Sequence, residues 1–204
     1  MTTRRPSLVG AVAKRGFDLI VAALLLIVLS PILITIAVLI RIRDGSPVLF
    51  RQERVGRHGV AFRVLKFRTM RSTPGAQVTI QGDTRITRVG RRLRAHRLDE
   101  LPQLINVLTG DMSLVGPRPE LAQYVNLFPE EYRQILTLRP GITGPASVEF
   151  RNESELLAAY PDPERAYVEV ILPQKIALAL DYLRERSMLV DLKILGRTVR
   201  AFWG

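Results

Sequence analysis

At 204 residues the chain has room for one ordinary domain with a sizeable core, or for a smaller domain plus a membrane segment. Lys plus Arg number 30 against 19 Asp plus Glu, and the resulting net charge of +11 favours phosphate-bearing partners: nucleic acid, anionic lipid or nucleotides. There is no cysteine and there are two histidines, His58 and His96, which rules out disulfides and thiolate chemistry and argues against a zinc or histidine metal cluster; a hard cation held by carboxylates stays compatible.

The chain opens on a short basic leader, residues 1–18, with Arg4, Arg5, Lys14 and Arg15 against Asp18 and with Pro6 near its start. Residues 19–40 then form a run of 22 without a charge. As a helix this run is roughly 33 Å long and covers a hydrocarbon core of about 30 Å. Two features complicate a straight span. Ser30-Pro31 stands at the middle, where Pro31 cannot donate to the carbonyl of Ile27 and its ring crowds the preceding turn, so a kink is expected. The freed carbonyl needs a partner, and the Ser30 hydroxyl or a packed neighbour is expected to supply it. Positive charge also flanks the run on both sides, Lys14 and Arg15 before it and Arg41 and Arg43 after it, which favours the cytoplasmic face for both ends. A hairpin that enters and leaves one leaflet satisfies both features, and the residues alone leave it open beside the straight span. The run is too long for a signal-peptide core, and no small-residue cleavage site follows it.

From 41 to 97 there are 15 Lys plus Arg against three acids, Asp44, Glu53 and Asp83, so this third of the chain carries +12. Residues 48–51 and 62–67 read as two strands joined by a turn at Gly56 and Gly59, with Lys66 and Arg68 flanking Phe67. Residues 72–84, with Pro74, Gly75 and Gly82, read as a polar loop. A basic helix is expected over 86–98 and an apolar one from Leu101 to Gly110, with Pro102 in its first turn. Asp99 and Glu100 then stand at or just before a helix N-terminus, where the macrodipole favours carboxylate charge. Residues 120–139 read as a surface helix ending before Arg139-Pro140-Gly141. The final stretch, 175–202, mixes apolar residues with arginines and leads into Phe202-Trp203, a pattern suited to a bilayer interface.

Chemistry concentrates between Arg91 and Pro119. Asp99-Glu100 follows Arg91, Arg92, Arg94 and Arg97, and Arg118 is held between Pro117 and Pro119, so a phosphate or pyrophosphate has cations to grip beside two carboxylates that can attack phosphorus or bind magnesium. Alone, the acidic pair also reads as a solvated helix start, and the arginine run as a helix face resting on anionic headgroups. No zinc signature, RNP-like segment, KH loop, Walker loop or dinucleotide fingerprint is present, which argues against nucleic acid and against ordinary nucleotide folds.

With these residues in view, the chain resembles the bacterial sugar transferases, the monotopic phosphoglycosyl transferases acting on polyprenyl phosphate. The resemblance runs from about Lys14 to Thr198 and rests on Ser30-Pro31, SPVLFRQERVG from Ser46, KFRTM from Lys66, TRITRVGRRLR from Thr84, LDELPQLINVLTGDMSLVGPRPE from Leu98, RPGITG from Arg139 and DYLRERSMLVDLKIL from Asp181. It corresponds in length to the minimal catalytic form. It implies an α+β, membrane-associated enzyme: residues 1–45 a basic leader and a re-entrant membrane helix broken at Ser30 and Pro31, residues 46–204 a cytoplasmic catalytic domain with a small sheet and amphipathic surface helices. The implied reaction moves a sugar-1-phosphate from a UDP-sugar to polyprenyl (undecaprenyl) phosphate with release of UMP. It needs Mg2+, sits at the cytoplasmic face of the bacterial inner membrane and forms the first membrane step of glycan assembly. By position Asp99 is the nucleophile and Glu100 its partner, both toward the metal. Lys66, Arg94, Arg118 and Arg139 are expected on phosphate or nucleotide, and Asp181 near the sugar or metal. Pro145-Ala146-Ser147 stands where many relatives carry Trp-Ala-Gln, and Thr84 where many carry proline, so the identity of the sugar does not carry over. A non-enzymatic polybasic recruitment module and a lipid-phosphate transferase with a CDP-activated donor are the rival readings, and the sequence leaves a homo-oligomer open.

Overall fold

The computed structural model describes residues 8–71 and 78–203. Arg4, Arg5 and Pro6 of the leader, and Pro74 and Gly75 of the polar loop, lie outside the described residues, as do the side chains of Phe202 and Trp203.

Helix α1, Leu8–Arg43, runs for 36 residues, about 54 Å at 1.5 Å per residue. Its outer surface is apolar and bare: Ile20, Leu24, Ile27, Val28, Ile34 and Val38 are each more than half exposed. Among the described residues this is the one helix long and apolar enough to cross a membrane. A continuous apolar strip of this kind is stable only against another apolar phase. The helix passes through Ser30 and Pro31 as one element rather than as two separate limbs. The reason is local. Pro31 withholds a donor from the Ile27 carbonyl, and the Ser30 hydroxyl donates to that same carbonyl at 2.8 Å, as expected from the sequence. Thr35 in turn donates to the Pro31 carbonyl at 2.8 Å.

The opposite face of α1 and both of its ends are fastened to the rest of the chain. Ala22 enters a core with Leu104, Val107, Met112 and Leu114, and Ile36 and Ile40 enter another with Phe67 and Leu93. Near the start, Arg15 donates to the carbonyls of Val107 at 2.8 Å and Met112 at 3.2 Å. Just past the end, Asp44 accepts from the Thr87 hydroxyl at 2.8 Å, and Arg68 donates to the carbonyls of Asp44, Gly45 and Ser46. The parts on either side of residue 45 therefore share two cores.

The expected hairpin is present and longer than its apolar letters suggested: β1, Leu49–Val55, pairs antiparallel with β2, Ala61–Phe67, in a register running from Leu49 opposite Phe67 to Val55 opposite Ala61. Helix α2, Arg88–Ala95, is capped by the Thr87 side chain, which accepts from the Gly90 amide. Helix α3, Gln103–Thr109, begins after Pro102 and ends at Gly110, whose φ of 96° lies in the left-handed region that a C-terminal glycine supplies. Three-residue strands β3, Ser113–Val115, and β4, Gly141–Thr143, pair in parallel. They are too short to show periodicity in the sequence.

Residues 120–139 do not form one surface helix. They divide into α4, Ala122–Val125, and α5, Pro129–Ile135, because Phe128-Pro129 interrupts the run. Their Tyr124, Tyr132 and Ile135 are buried in a third core with Leu157, Tyr167 and Leu172. The chain continues through the short helices α6, Pro145–Glu149, α7, Glu153–Ala158, and α8, Pro163–Ala166. It then builds α9, Leu172–Glu185, and α10, Met188–Trp203, whose Leu189, Leu192 and Val199 face outward.

The approach of β3 to β4 needs bare backbone. A Cβ on Gly141 would lie 2.1 Å from the Gly116 nitrogen and 2.4 Å from the Thr143 oxygen. Gly141→Ala is expected to lower stability by about 1–3 kcal/mol through overpacking, whereas Gly196→Ala, in open space on α10, should leave it unchanged or slightly raised. Thermal unfolding of both variants in the same detergent checks this.

Candidate active site

The acidic pair is placed by a tight reversal. Helix α2 stops at Ala95, Arg97 takes a left-handed conformation with φ of 51°, and a single 3-10 turn, Leu98–Glu100, leads through Pro102 into α3. Apolar anchors on both sides set its depth: Leu98 packs toward the core around Ile40 and Phe67, and Leu104 and Val107 enter the core around Met112. The carboxylates between these anchors are only 7% exposed at Asp99 and 9% at Glu100, so their charges must be answered inside the fold.

Two cations from distant segments answer Glu100. Lys66 near the end of β2 reaches its Oε1 at 2.7 Å, and Arg118, two residues beyond Gly116 at the exit of β3, donates to the same oxygen at 3.1 Å. Burial raises the Glu100 pKa, but Lys66 and Arg118 outweigh it and hold the carboxyl well below the usual carboxylate range. The same pair lifts the Arg118 guanidinium upward. Asp99 goes the other way. Burial and the neighbouring Glu100 charge raise its pKa, with Lys66 and Arg94 only partly offsetting them, and among the described residues no cation pairs with it directly. Adjacent carboxylates thus differ in role: one is locked in an ion triad, the other is close to cations but chemically free.

Of the residues marked from sequence, Lys66, Arg94 and Arg118 gather around the dyad. Arg94 also reaches the Met70 sulfur at 3.7 Å. Arg139 and Asp181 are not drawn in. Arg139 donates to the Gly110 carbonyl at 2.8 Å, capping the far end of α3 about 10 Å along that helix from Pro102. Asp181 is exposed on α9 and pairs with Arg184 at 2.9 Å. Arg97 was passed over as a specific ligand, although its field reaches both Asp99 and Glu100; its closeness in sequence to the pair was the available signal.

The donor set bears on a metal. Among the described residues there is no group of three His, Asp or Glu able to hold an ion, and one oxygen of Glu100 is taken by Lys66 and Arg118. That excludes a dedicated protein cage. It fits magnesium, which characteristically takes one or two carboxylates and draws its other oxygens from substrate phosphates and water.

A buried dyad ringed by Lys and Arg, on a body attached to an exposed apolar helix, has the charge to meet anionic groups beside an apolar surface. A family model described as bacterial sugar transferase matches residues 9–204, and the chain belongs to that family. It is 42% identical over 193 residues to a UDP-glucose:undecaprenyl-phosphate glucose-1-phosphate transferase of Caulobacter vibrioides, covering 91% of this chain and 68% of that protein. It is 40% identical over 203 residues to a UDP-N-acetylgalactosamine-undecaprenyl-phosphate N-acetylgalactosaminephosphotransferase of Aeromonas hydrophila, covering 96% of this chain and 44% of that protein. It is 34% identical over 211 residues to the exopolysaccharide production protein ExoY of Sinorhizobium fredii, covering 95% of this chain and 86% of that protein. The chain therefore spans less than half of the second of these and most of the third.

The triad makes Lys66 and Glu100 energetically coupled. Lys66→Met leaves Glu100 with Arg118 as its remaining ion-pair partner and is expected to cost about 1–3 kcal/mol, whereas Lys66→Met combined with Glu100→Leu should cost clearly less than the sum of the two single changes. Denaturant unfolding of the four proteins of that cycle measures the difference.

Proposed function

We propose that this chain transfers a sugar-1-phosphate from a UDP-sugar to a polyprenyl phosphate, the undecaprenyl form being named for its relatives, and releases UMP. The observation that carries the reading is the division within the dyad: Glu100 is held by Lys66 and Arg118, and Asp99 stands beside them without an ion pair of its own. An Asp99 oxygen forms a bond to the β-phosphorus of the donor, the bond from that phosphorus to the oxygen bridging it to the α-phosphate breaks, and UMP leaves with the electron pair. Lys66, Arg94 and Arg118 orient the diphosphate and balance its charge, and burial of the dyad keeps water from the acyl phosphate. A phosphate oxygen of the acceptor then attacks the sugar-bearing phosphorus, and the carboxylate of Asp99 is restored. Asp99 and Glu100 would hold magnesium, which would supply positive charge against the negative charge growing on UMP.

The same reading puts the body at the cytoplasmic face of the bacterial inner membrane, with α1 dipping into one leaflet and returning. Its support is that both ends of α1 pack on one folded body, Asp18 and Ala22 at one end and Ile36, Ile40 and Asp44 at the other. Which sugar is carried is read from a panel of UDP-sugars, with a CDP-activated donor as the comparison.

Purified protein with magnesium, undecaprenyl phosphate and that panel should release UMP, and Asp99→Asn should lower the rate at least about a thousandfold. Undiminished release in that variant would remove Asp99 as nucleophile. A protonated Asp99 cannot attack, and its pKa is raised, so the acid limb of the pH–rate profile should lie above the ordinary Asp range near 3.9. Residual activity should place that limb higher in Lys66→Met, which loses a favourable cation, and lower in Glu100→Gln, which loses a neighbouring negative charge.

Topology is tested separately, since the chain has no native thiol. Arg43→Cys and Arg200→Cys should both be labelled in inverted vesicles and protected in intact spheroplasts. Labelling of position 43 only from the periplasmic side would defeat the re-entrant arrangement.

A further inference from the structure

An apolar cavity of about 180 Å³ is bordered by Glu100 of the dyad. Its apolar lining includes Leu25 and Leu29 of α1 and Leu195 and Ala201 of α10, the two helices with outward apolar faces. Arg97 and Arg151 join Glu100 in the same lining. Lys66, Arg94 and Arg118 do not line it. The cations around the dyad therefore fall into two sets, and Glu100 belongs to both, paired with one set and forming the wall beside the other.

Two further observations point to a ligand there. The Ser147 hydroxyl oxygen, in the cavity wall, is shut from solvent and has no hydrogen-bond partner among the described residues. Its neighbours in the same wall are satisfied: Thr143 and Thr198 bond each other at 2.8 Å, and Thr198 also donates to the Ile194 carbonyl. An orphaned hydroxyl in an apolar wall is destabilising unless a polar group of a bound molecule meets it. Arg97, moreover, is a non-glycine residue in a left-handed conformation, and it is held toward Arg151 by donating to that residue's carbonyl at 3.0 Å. Such a conformation persists only where its surroundings enforce it, and it gathers at ligand clamps.

We infer that this cavity is the acceptor subsite, in which the first isoprene units of the polyprenyl phosphate lie along Leu25, Leu29, Leu195 and Ala201 while its phosphate is received by Arg97, Arg151 and the Ser147 hydroxyl. The inference rests on the proposed transfer reaction and adds that the acceptor phosphate is received by residues other than Lys66, Arg94 and Arg118, and attacks the sugar-bearing phosphorus on the face that UMP has vacated. The space holds roughly a dozen water-sized groups, about two isoprene units in a single file. That suits a one-chain lipid and leaves no room for the paired acyl chains of a bilayer phospholipid. The remainder of the acceptor chain runs out between α1 and α10 into the leaflet. In the second half-reaction the acceptor oxygen bonds to the sugar-bearing phosphorus as the bond from phosphorus to Asp99 breaks. Charge is conserved and no proton moves, so a cation pair that receives the phosphate without donating a proton is the appropriate chemistry.

The test separates donor from acceptor. Titration calorimetry with geranyl phosphate, which carries two isoprene units, should show binding to the wild-type protein in detergent, weakened at least tenfold by Ser147→Leu, by Ala201→Phe in the α10 part of the lining and by Arg97→Gly, a change the left-handed backbone accepts. Arg97→Lys should recover part of the loss. In turnover with undecaprenyl phosphate, the KM for acceptor should rise at least tenfold in the same variants, while in Ser147→Leu and Ala201→Phe the donor concentration giving half the maximal rate of the single-turnover UMP burst without acceptor should move less than threefold. Equal loss on donor and acceptor sides, or no change in geranyl phosphate binding when the cavity is filled, would overturn the subsite. Loss of a co-purified phospholipid from Ser147→Leu in native mass spectrometry, with acceptor KM unchanged, would overturn it in favour of a bilayer lipid. If the wild type releases no UMP yet binds geranyl phosphate in a Ser147-dependent manner, the transfer reading falls and the lipid-phosphate site stands.

Discussion

The charge on Glu100 is the constraint around which the catalytic body is arranged. Removing a carboxylate from water costs several kcal/mol unless well-placed partners replace the lost hydration, and the partners here come from far along the chain. Lys66 lies 34 residues before Glu100 and Arg118 lies 18 after it. For both to meet one oxygen, β2 must end beside the turn before α3, and β3 must deliver Gly116-Pro117-Arg118 to the same point. The hairpin, the turn and the parallel pair are thereby held in mutual register by a single ion triad. The consequence for chemistry falls on the neighbour. Because Glu100 takes the direct ion pairs, Asp99 keeps its lone pairs, and the two carboxylates separate in pKa in the manner of groups assigned different tasks.

The membrane helix is apolar on nearly every side, so its facing is decided by what it meets rather than by a pattern of polar residues. Ala22, Ile36 and Ile40 are buried because the cores around Met112 and Phe67 lie beneath them, and Ile27 and Val28 are bare because nothing does. Helix α10 adds Leu189, Leu192 and Val199 to the exposed apolar surface. Both helices also contribute to the lining of the cavity that Glu100 borders. On the proposed reading, a lipid phosphate reaches the dyad there while its chain stays against the apolar faces of the two helices.

What could be read from the sequence was local, and what escaped it was mostly not. The Ser30 hydroxyl on the Ile27 carbonyl follows from one proline and its i−4 neighbour, and the hairpin from apolar letters around two glycines. The placement of Asp99-Glu100 just before α3 follows from Pro102 and a helical spacing that ends at Gly110. All of these depend on a few adjacent residues. By contrast, Lys66 viewed alone is a strand-end surface charge, and only the meeting of β2 with the turn makes it the closest partner of Glu100. Arg139, whose cationic side chain suggests phosphate, instead meets the Gly110 carbonyl at the end of α3, a partner that the sequence does not indicate. The expected helix over 120–139 failed through an overlooked local signal, Phe128-Pro129, and through tyrosines that bury their rings in the third core.

A second buried polar network ties the apolar helices to the site. Lys14 pairs with Asp18 at 2.6 Å and with Asp191 of α10 at 3.1 Å, Tyr182 of α9 donates to Asp191 at 2.6 Å, and Ser113 donates to Asp18 at 2.8 Å. Asp18 and Asp191 are almost wholly enclosed, so neither can give up its partners without exposing a bare charge to the core. The network thus fixes α1 to α10 and fixes both to Ser113, the first residue of β3. Arg118 leaves that strand five residues later, after the close backbone crossing of Gly116 and Gly141. The strand that leads to the Glu100 partner is therefore pinned to the two helices that carry the apolar outer surface, so that the position of the dyad relative to that surface is set by the same fold that sets its charge.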